Sequence, residues 1–414
     1  MKNIKFLFLL IASVVYLSGC MKDLKTDEFT DDAISSVITV TVNMPEGYNY
    51  TTEGLPVCFV DPSSGLEFCD TTNASGVATI RVPHGAYIAT TETKHSAAGG
   101  VVYIFNGVSE KIRVAPNDPK NASSKIDLNV SKAGQIVLKE LYYGGCTNPA
   151  TSKSYSKDQY FILYNNSGEV AYLDSLCLAV VDPYNAPSSG KTTNWVKPNS
   201  TEIRDSIPVS GFGWMFPGTG NQHPLQPGEQ VVISLNAINH VPITSTSVNL
   251  GIQGYWAAYD PLLTKGQSTP NAGVNLMTGF WKVGTATSWV VSTLSPAVFL
   301  YSMGGKTPAQ FITDTYTWNP GYATNRNFDC LMVDKNLIID GVECFRNVTD
   351  SKRLRPEVDN GFAMVDGGGQ GQSVHRRVDA QATAAAGGRI VYMDTNNSSN
   401  DFEKRTTASL VGVN

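Results

Sequence analysis

"SVITVTVNMP", residues 36–45, alternates apolar and polar side chains before stopping at a proline. Successive side chains of a strand point to opposite faces, so Ile38, Val40 and Val42 share one face and Thr39 and Thr41 the other. The segment therefore predicts a half-buried strand. The same texture returns in "LPVCFV", "LEFCDTT", "GVATIRVP", "GAYIATTET", "VVYIFNG" and "SKIDLNVS", with turn residues between them. Seven short strands at this spacing predict a β-sandwich over residues 36–132.

The rest of the composition agrees with an all-β chain. The 37 glycines and 21 prolines, beside abundant Thr, Ser, Asn and Val, suit short strands joined by turns. At 414 residues there is enough chain for two or three domains with real cores. Net charge is −5 and only 16% of residues are charged, with no basic block to neutralise phosphates, which argues against nucleic acid as a partner.

The N-terminus reads as an address. Lys2 and Lys5 precede "FLFLLIASVVYLSG", an apolar run too short for a spanning helix, which needs roughly 20 residues. This is the layout of a secretory signal over residues 1–19. "LSGC", Leu17 to Cys20, resembles the bacterial lipobox, which implies acylation of Cys20 as the new N-terminus. Acyl chains contribute about 0.8 kcal/mol per buried CH₂, so a lipidated Cys20 anchors the chain firmly. Residues 20–35, "CMKDLKTDEFTDDAIS", are charged and poor in bulky apolar groups, as a flexible tether is. Their acidic and lysine content resembles the surface-export signal of Bacteroidetes lipoproteins, which implies an outer-membrane, outward-facing location.

Six further cysteines follow: Cys58, Cys69, Cys146, Cys177, Cys330 and Cys344. An even number outside the cytoplasm points to disulfides. In "LPVCFVDPSSGLEFCDTT" the turn Pro62–Gly65 pairs Asp61 with Leu66 and sets Cys58 opposite Cys69, with Cβ atoms about 4.5–5.5 Å apart. No CxxC or Cys/His cluster suggests zinc.

Two resemblances organise the chain. "TTNASGVATIRVPHGAYIATTE" resembles carboxypeptidase-regulatory-like, transthyretin-related domains, with Gly76 and Gly85 at turns and Ala78 and Ile80 in the core. Such domains imply a spacer or docking module without catalytic residues. From residue 133 onward, "GQIVLKELYYGG" and "KDQYFILYNNSGEVAYLDSLCLAVVDP" resemble the opening of lamin-tail-type immunoglobulin-like domains. "HPLQPGEQVVISLNA" fits the next segment, and a Gly-, Trp- and Tyr-rich stretch near residues 241–287 reads as a long loop insertion. The whole order resembles a Bacteroidetes outer-membrane lipoprotein family of unknown function. Members of that family look like neighbours of TonB-dependent transporters, which implies capture or docking. "DTT" at Asp70, "DSL" at Asp174 and "DSI" at Asp205 also resemble the short O-glycosylation signal of Bacteroidetes envelope proteins.

Several chemistries fail on the sequence. There is no G-x-S-x-G elbow, and Ser373 with His375 lacks an orienting acid, which leaves a Gly-rich surface loop there. "MGGKT" has Leu300 where a phosphate loop needs its first glycine. "DTNNSSNDF" spaces Asp394, Asn396, Ser398 and Asn400 as calcium ligands at loop positions 1, 3, 5 and 7. Ser399 and Arg405 stand where such a loop carries Gly and Glu, so an Asx-rich turn is the expectation and calcium the alternative.

The remaining functional candidates are the aromatics of the Gly/Pro-rich segments. Trp214, Phe216, Tyr255, Trp256, Tyr259 and Trp281 are the candidates for a binding surface, with Trp195, Phe280 and Trp289 nearby, and packing of these rings as small cores over the sandwich is the competing expectation. The expectation is thus two consecutive β-sandwich domains on a lipid anchor, without enzymatic chemistry or cofactor. They would act as an accessory binding protein for a TonB-dependent transporter. A structural or adhesive surface lipoprotein is the alternative, and a hydrolase the third reading.

Overall fold

The computed structural model describes residues 34–46, 48–61, 66–96, 102–115, 121–132, 134–186, 204–304, 306–315, 317–318 and 329–413. The signal segment, Cys20, Trp195 and the hairpin turn Pro62–Gly65 lie outside the described residues. Two compact units are present, one drawn from residues up to Thr93 and from Phe105–Asn129, the other from Lys94–Ile104 and Val130–Asn414.

In the first unit, Ser35–Asn43 lies between Val77–Pro83, which it pairs antiparallel, and Asn121–Asp127, which it pairs parallel. Its burial alternates as the sequence predicts: Ile38, Val40 and Val42 are buried, and Ile38 and Val40 stand opposite the equally buried Ile80 and Ala78 of the neighbouring strand. A second sheet runs Glu67–Thr71, Pro56–Val60, Gly85–Ser96, Val102–Val108. Gly76 takes φ +71° at a turn where a Cβ would lie 2.5 Å from the Thr52 hydroxyl, so only glycine fits. The hairpin register pairs Cys58 with Cys69, and a disulfide joins them.

The second unit is a sandwich of a seven-stranded and a five-stranded sheet. The larger runs Asn275–Leu276, Trp256–Ala257, Gln230–Ser234, Tyr160–Asn165, Ile136–Tyr142, Ser373–Arg376, Phe402–Arg405. The smaller runs Thr278–Lys282, Phe212–Met215, Cys177–Val180, Ala297–Tyr301, Ile338–Glu343. Phe161, Leu163 and Ile233 of one sheet share a core with Leu178, Trp214 and Leu300 of the other. Fully burying such a side chain contributes about 1.5–3 kcal/mol.

Their strands are not half-exposed, because each sheet is also covered on its outer face. Tyr160 and Ile162 pack with Val248, Leu250 and Leu410, while Ala179, Phe299 and Tyr301 pack with Ile207, Leu331 and Phe311. Alternation therefore sorts residues between two cores rather than between core and water, and Tyr160–Asn165 is buried throughout.

Two expectations change here. The segment near 241–287 supplies edge strands to both sheets and, through Val248 and Leu250, an outer layer. It reads as a loop because its strands Trp256–Ala257 and Asn275–Leu276 are two residues each. Ser373 and His375 are buried on Ser373–Arg376, an interior strand of the larger sheet, rather than in a surface loop. Among the described residues, no helix is long and apolar enough to cross a membrane.

Candidate functional site: a groove at the sheet edge

The site is assembled by one carboxylate. Asp174 follows the short strand Ala171–Tyr172 and accepts backbone N–H bonds from Gly220 at 3.3 Å, Gln222 at 2.9 Å and His223 at 2.8 Å. Desolvation would raise its carboxyl, but these donors together outweigh it and hold Asp174 below the usual carboxylate range. Gly218 allows the approach: a Cβ there would stand 2.0 Å from Asp174 Oδ1, and its φ of +124° suits glycine alone. The loop then enters Pro224–Leu225, which pairs with Ala171–Tyr172.

This path sets His223 edge-on to Trp256, with ring centroids 5.0 Å apart at 90°. Trp256 pairs in register with Ile233 and rests on Phe216, 4.9 Å below. On the other side, Asn275 N–H donates to the Tyr255 carbonyl at 2.7 Å, and its side-chain amide donates to the Gly254 carbonyl at 3.2 Å. Gln230 offers its carbonyl to Lys139 Nζ at 2.6 Å. Between these residues lies a groove of about 490 Å³, floored by Trp256, Leu225 and Val231 and rimmed by Gln222, His223, Gln253, Tyr255 and Asn275. Among the described residues, no carboxylate, lysine or arginine lines it.

The candidate aromatic residues divide between core and groove. Trp214 and Phe216 are fully buried and Trp256 is 5% exposed, so these three are not exposed contact residues. Trp289 is buried against Trp214, and Trp214 stacks on Phe212 at 5.2 Å. Tyr255, Tyr259, Phe280 and Trp281 are half-buried, the last two against the second core of the unit. The glycines beside these rings are packing sites rather than loop signals. A Cβ at Gly213 would stand 2.8 Å from the Phe280 ring, and one at Gly279 would stand 3.3 Å from Trp214. Only Tyr255 and Trp256 of the six reach the groove.

The other candidates also resolve. Cys146, Cys177, Cys330 and Cys344 are buried and carry no disulfide, contrary to expectation. Cys177 and Cys344 sit in different cores of the sandwich, and burial pushes both thiols up. Among the described residues, the one grouping of potential metal ligands is Cys58, Glu67 and Cys69, whose thiols are joined in the disulfide.

"DTNNSSNDF" closes on an internal cation. Asp394 Oδ1 accepts from Arg376 Nη1 at 3.1 Å and Asp401 Oδ2 from the same nitrogen at 3.4 Å. Ser398 donates to Asp359 at 2.7 Å, Asn397 caps the short helix Ser398–Asp401, and Asn400 is exposed. Asp394 and Ser398 are thus engaged by Arg376 and Asp359, and Asn397 accepts from Ser399 N–H in an Asx-type cap.

Gln222, Gln230, Gln253 and Asn275 had no signal as groove residues, nor Asp174 as the anchor of the loop beside them, because lone polar residues on separate segments announce nothing until the sheet brings them together. Residues 226–409 match the model of a family described as a protein of unknown function, DUF4876. Among solved structures, the chain is similar to a DUF4876 family protein from Bacteroides thetaiotaomicron, with 22% identity and a TM-score of 0.54 over 89% of this chain and 94% of that one. That likeness supports the all-β sandwich fold. Similarity to a DUF3823 family protein from Parabacteroides merdae is slight, with 11% identity and a TM-score of 0.17 over 36% and 67% of the two chains. No curated protein matched the chain.

Proposed function

We propose that this chain is a non-enzymatic binding protein, held on the outer membrane through a lipid on Cys20 and facing outward, that captures a ligand for a TonB-dependent transporter. The observation that carries this reading is the groove beside Tyr255 and Trp256. It is preorganised by Asp174 and lined by groups that recognise without offering a nucleophile–base pair. The lipobox-like "LSGC" and the charged tether supply the anchor and reach. In this reading the first unit serves as a carboxypeptidase-regulatory-like spacer and the second as a lamin-tail-like sandwich that bears the groove.

The test is affinity capture from detergent-solubilised outer membranes with the lipidated protein. Stoichiometric recovery of a TonB-dependent barrel supports the accessory role. Surface display without any recovered barrel moves a structural or adhesive role ahead.

A further inference from the structure

We infer that the groove takes a neutral saccharide, an inference that rests on the binding role proposed above. Among the described residues its lining holds no lysine or arginine, the groups that hold phosphate, sulfate and carboxylate, and the nearby Lys139 ammonium is engaged by Gln230 Oε1. It is equally unsuited to a purely apolar ligand, because desolvating the exposed amides of Gln222, Gln253 and Asn275 without partners costs energy at each one. A peptide added as a strand needs an edge of useful length, and the edge strand Asn275–Leu276 has two residues.

What the groove presents is a mixed set of donors and acceptors beside aromatic surface. Because Gln230 Oε1 is engaged by Lys139, its Nε2 is left as a donor. Because Asn275 Nδ2 is bound to the Gly254 carbonyl, its Oδ1 is left as an acceptor. Gln222 and Gln253 are exposed and can serve either way. Hydroxyl groups, which both donate and accept, match this pattern. The half-exposed Tyr255 ring is the amphipathic surface on which the C–H face of a sugar ring rests. At about 490 Å³ the groove has the size of a small-ligand site.

The experiment is isothermal titration of the intact protein with maltotriose, cellotriose, mannotriose and triacetylchitotriose, with a heparin tetrasaccharide as the charged control. Tryptophan emission is followed in parallel, since Trp256 floors the groove. The expected result is saturable binding of a neutral probe, weakened about tenfold in Gln222→Ala/Gln253→Ala as hydrogen bonds are lost, with an unchanged melting temperature. Both glutamines are exposed, so the double variant keeps its fold. Failure of every neutral probe to bind at millimolar concentration overturns the inference. So does binding of the heparin probe alone, or neutral-probe binding indifferent to the double variant. If no saccharide binds but the double variant loses capture of the membrane partner, the saccharide inference fails and the binding role stands. If capture also fails in the wild type, the binding role falls with it.

Discussion

Arg376 grips Asp340 with one nitrogen on both carboxylate oxygens, at 2.8 and 2.7 Å, inside the second unit. Arg376 is 1% and Asp340 3% exposed. The same guanidinium donates to the Leu138 and Met393 carbonyls and lies over the Phe402 ring. Asp340 in turn accepts the backbone N–H of Leu138 at 2.6 Å. One arginine thus joins an interior strand of the larger sheet, an edge strand of the smaller and the loop after Met393.

Replacing Arg376 with leucine keeps the volume but leaves Asp340, Asp394 and Asp401 buried without their cation. Breaking a buried pair from one side costs about 3–5 kcal/mol. Urea denaturation followed by tryptophan emission should show a loss of that size, and a loss under about 1 kcal/mol would mean the cluster is solvated.

Three carboxylates around one arginine also give a pH dependence. Burial pushes the Asp401 carboxyl up to about 6, against the opposing charge of Arg376 and with the help of Asp394. Burial likewise pushes Asp340 up, to about 7. A raised folded-state value means the native protein holds a proton that the unfolded chain has released, so this contribution falls as pH rises from about 4 to about 6. Comparison with Asp401→Asn isolates the effect, since the buried histidines titrate alike in both proteins. Between pH 4 and pH 7.5 the wild type should lose on the order of 2–3 kcal/mol relative to the variant. A gap that stays constant with pH would show that Asp401 is ionised throughout.

The strands and the Cys58–Cys69 disulfide were legible because they depend on local pattern. Ile38, Val40 and Val42 alternate with threonines, and the register of Pro56–Val60 on Glu67–Thr71 pairs Cys58 with Cys69. The groove was not legible, because Asp174, His223, Gln253 and Asn275 meet only through sheet pairing across a long span of chain. Burial misled in one direction. Trp214 and Phe216 sit among glycines that look like loop residues, yet those glycines make room for rings. Both rings fill the core between the two sheets, beside Leu178 and Leu300.

The hairpin gives a prediction on stability. Cys58 and Cys69 are separated by 11 residues, and cross-linking a loop of about that size stabilises by about 2–3 kcal/mol through the unfolded chain. Calorimetry of Cys58→Ala/Cys69→Ala should show a transition lowered by several degrees. An unchanged profile would mean that the strands hold the hairpin without the bond.

Asp174 gives the prediction closest to function. Its carboxylate holds the backbone of Gly220, Gln222 and His223, so Asp174→Ala leaves three N–H groups to water. Net hydrogen bonds contribute about 0.5–1.5 kcal/mol each, and this loop is partly exposed, so a global loss of about 1–2 kcal/mol is expected. The local effect should be larger: amide exchange at residues 220–223 should accelerate while the strand Tyr160–Asn165 keeps its protection. Gly218→Ala should reproduce that pattern from the other partner, because its Cβ would displace the same carboxylate. If both variants exchange like the wild type across this loop, Asp174 does not organise the groove, and the wall that places His223 against Trp256 is held by the strand pairing of Pro224–Leu225 alone.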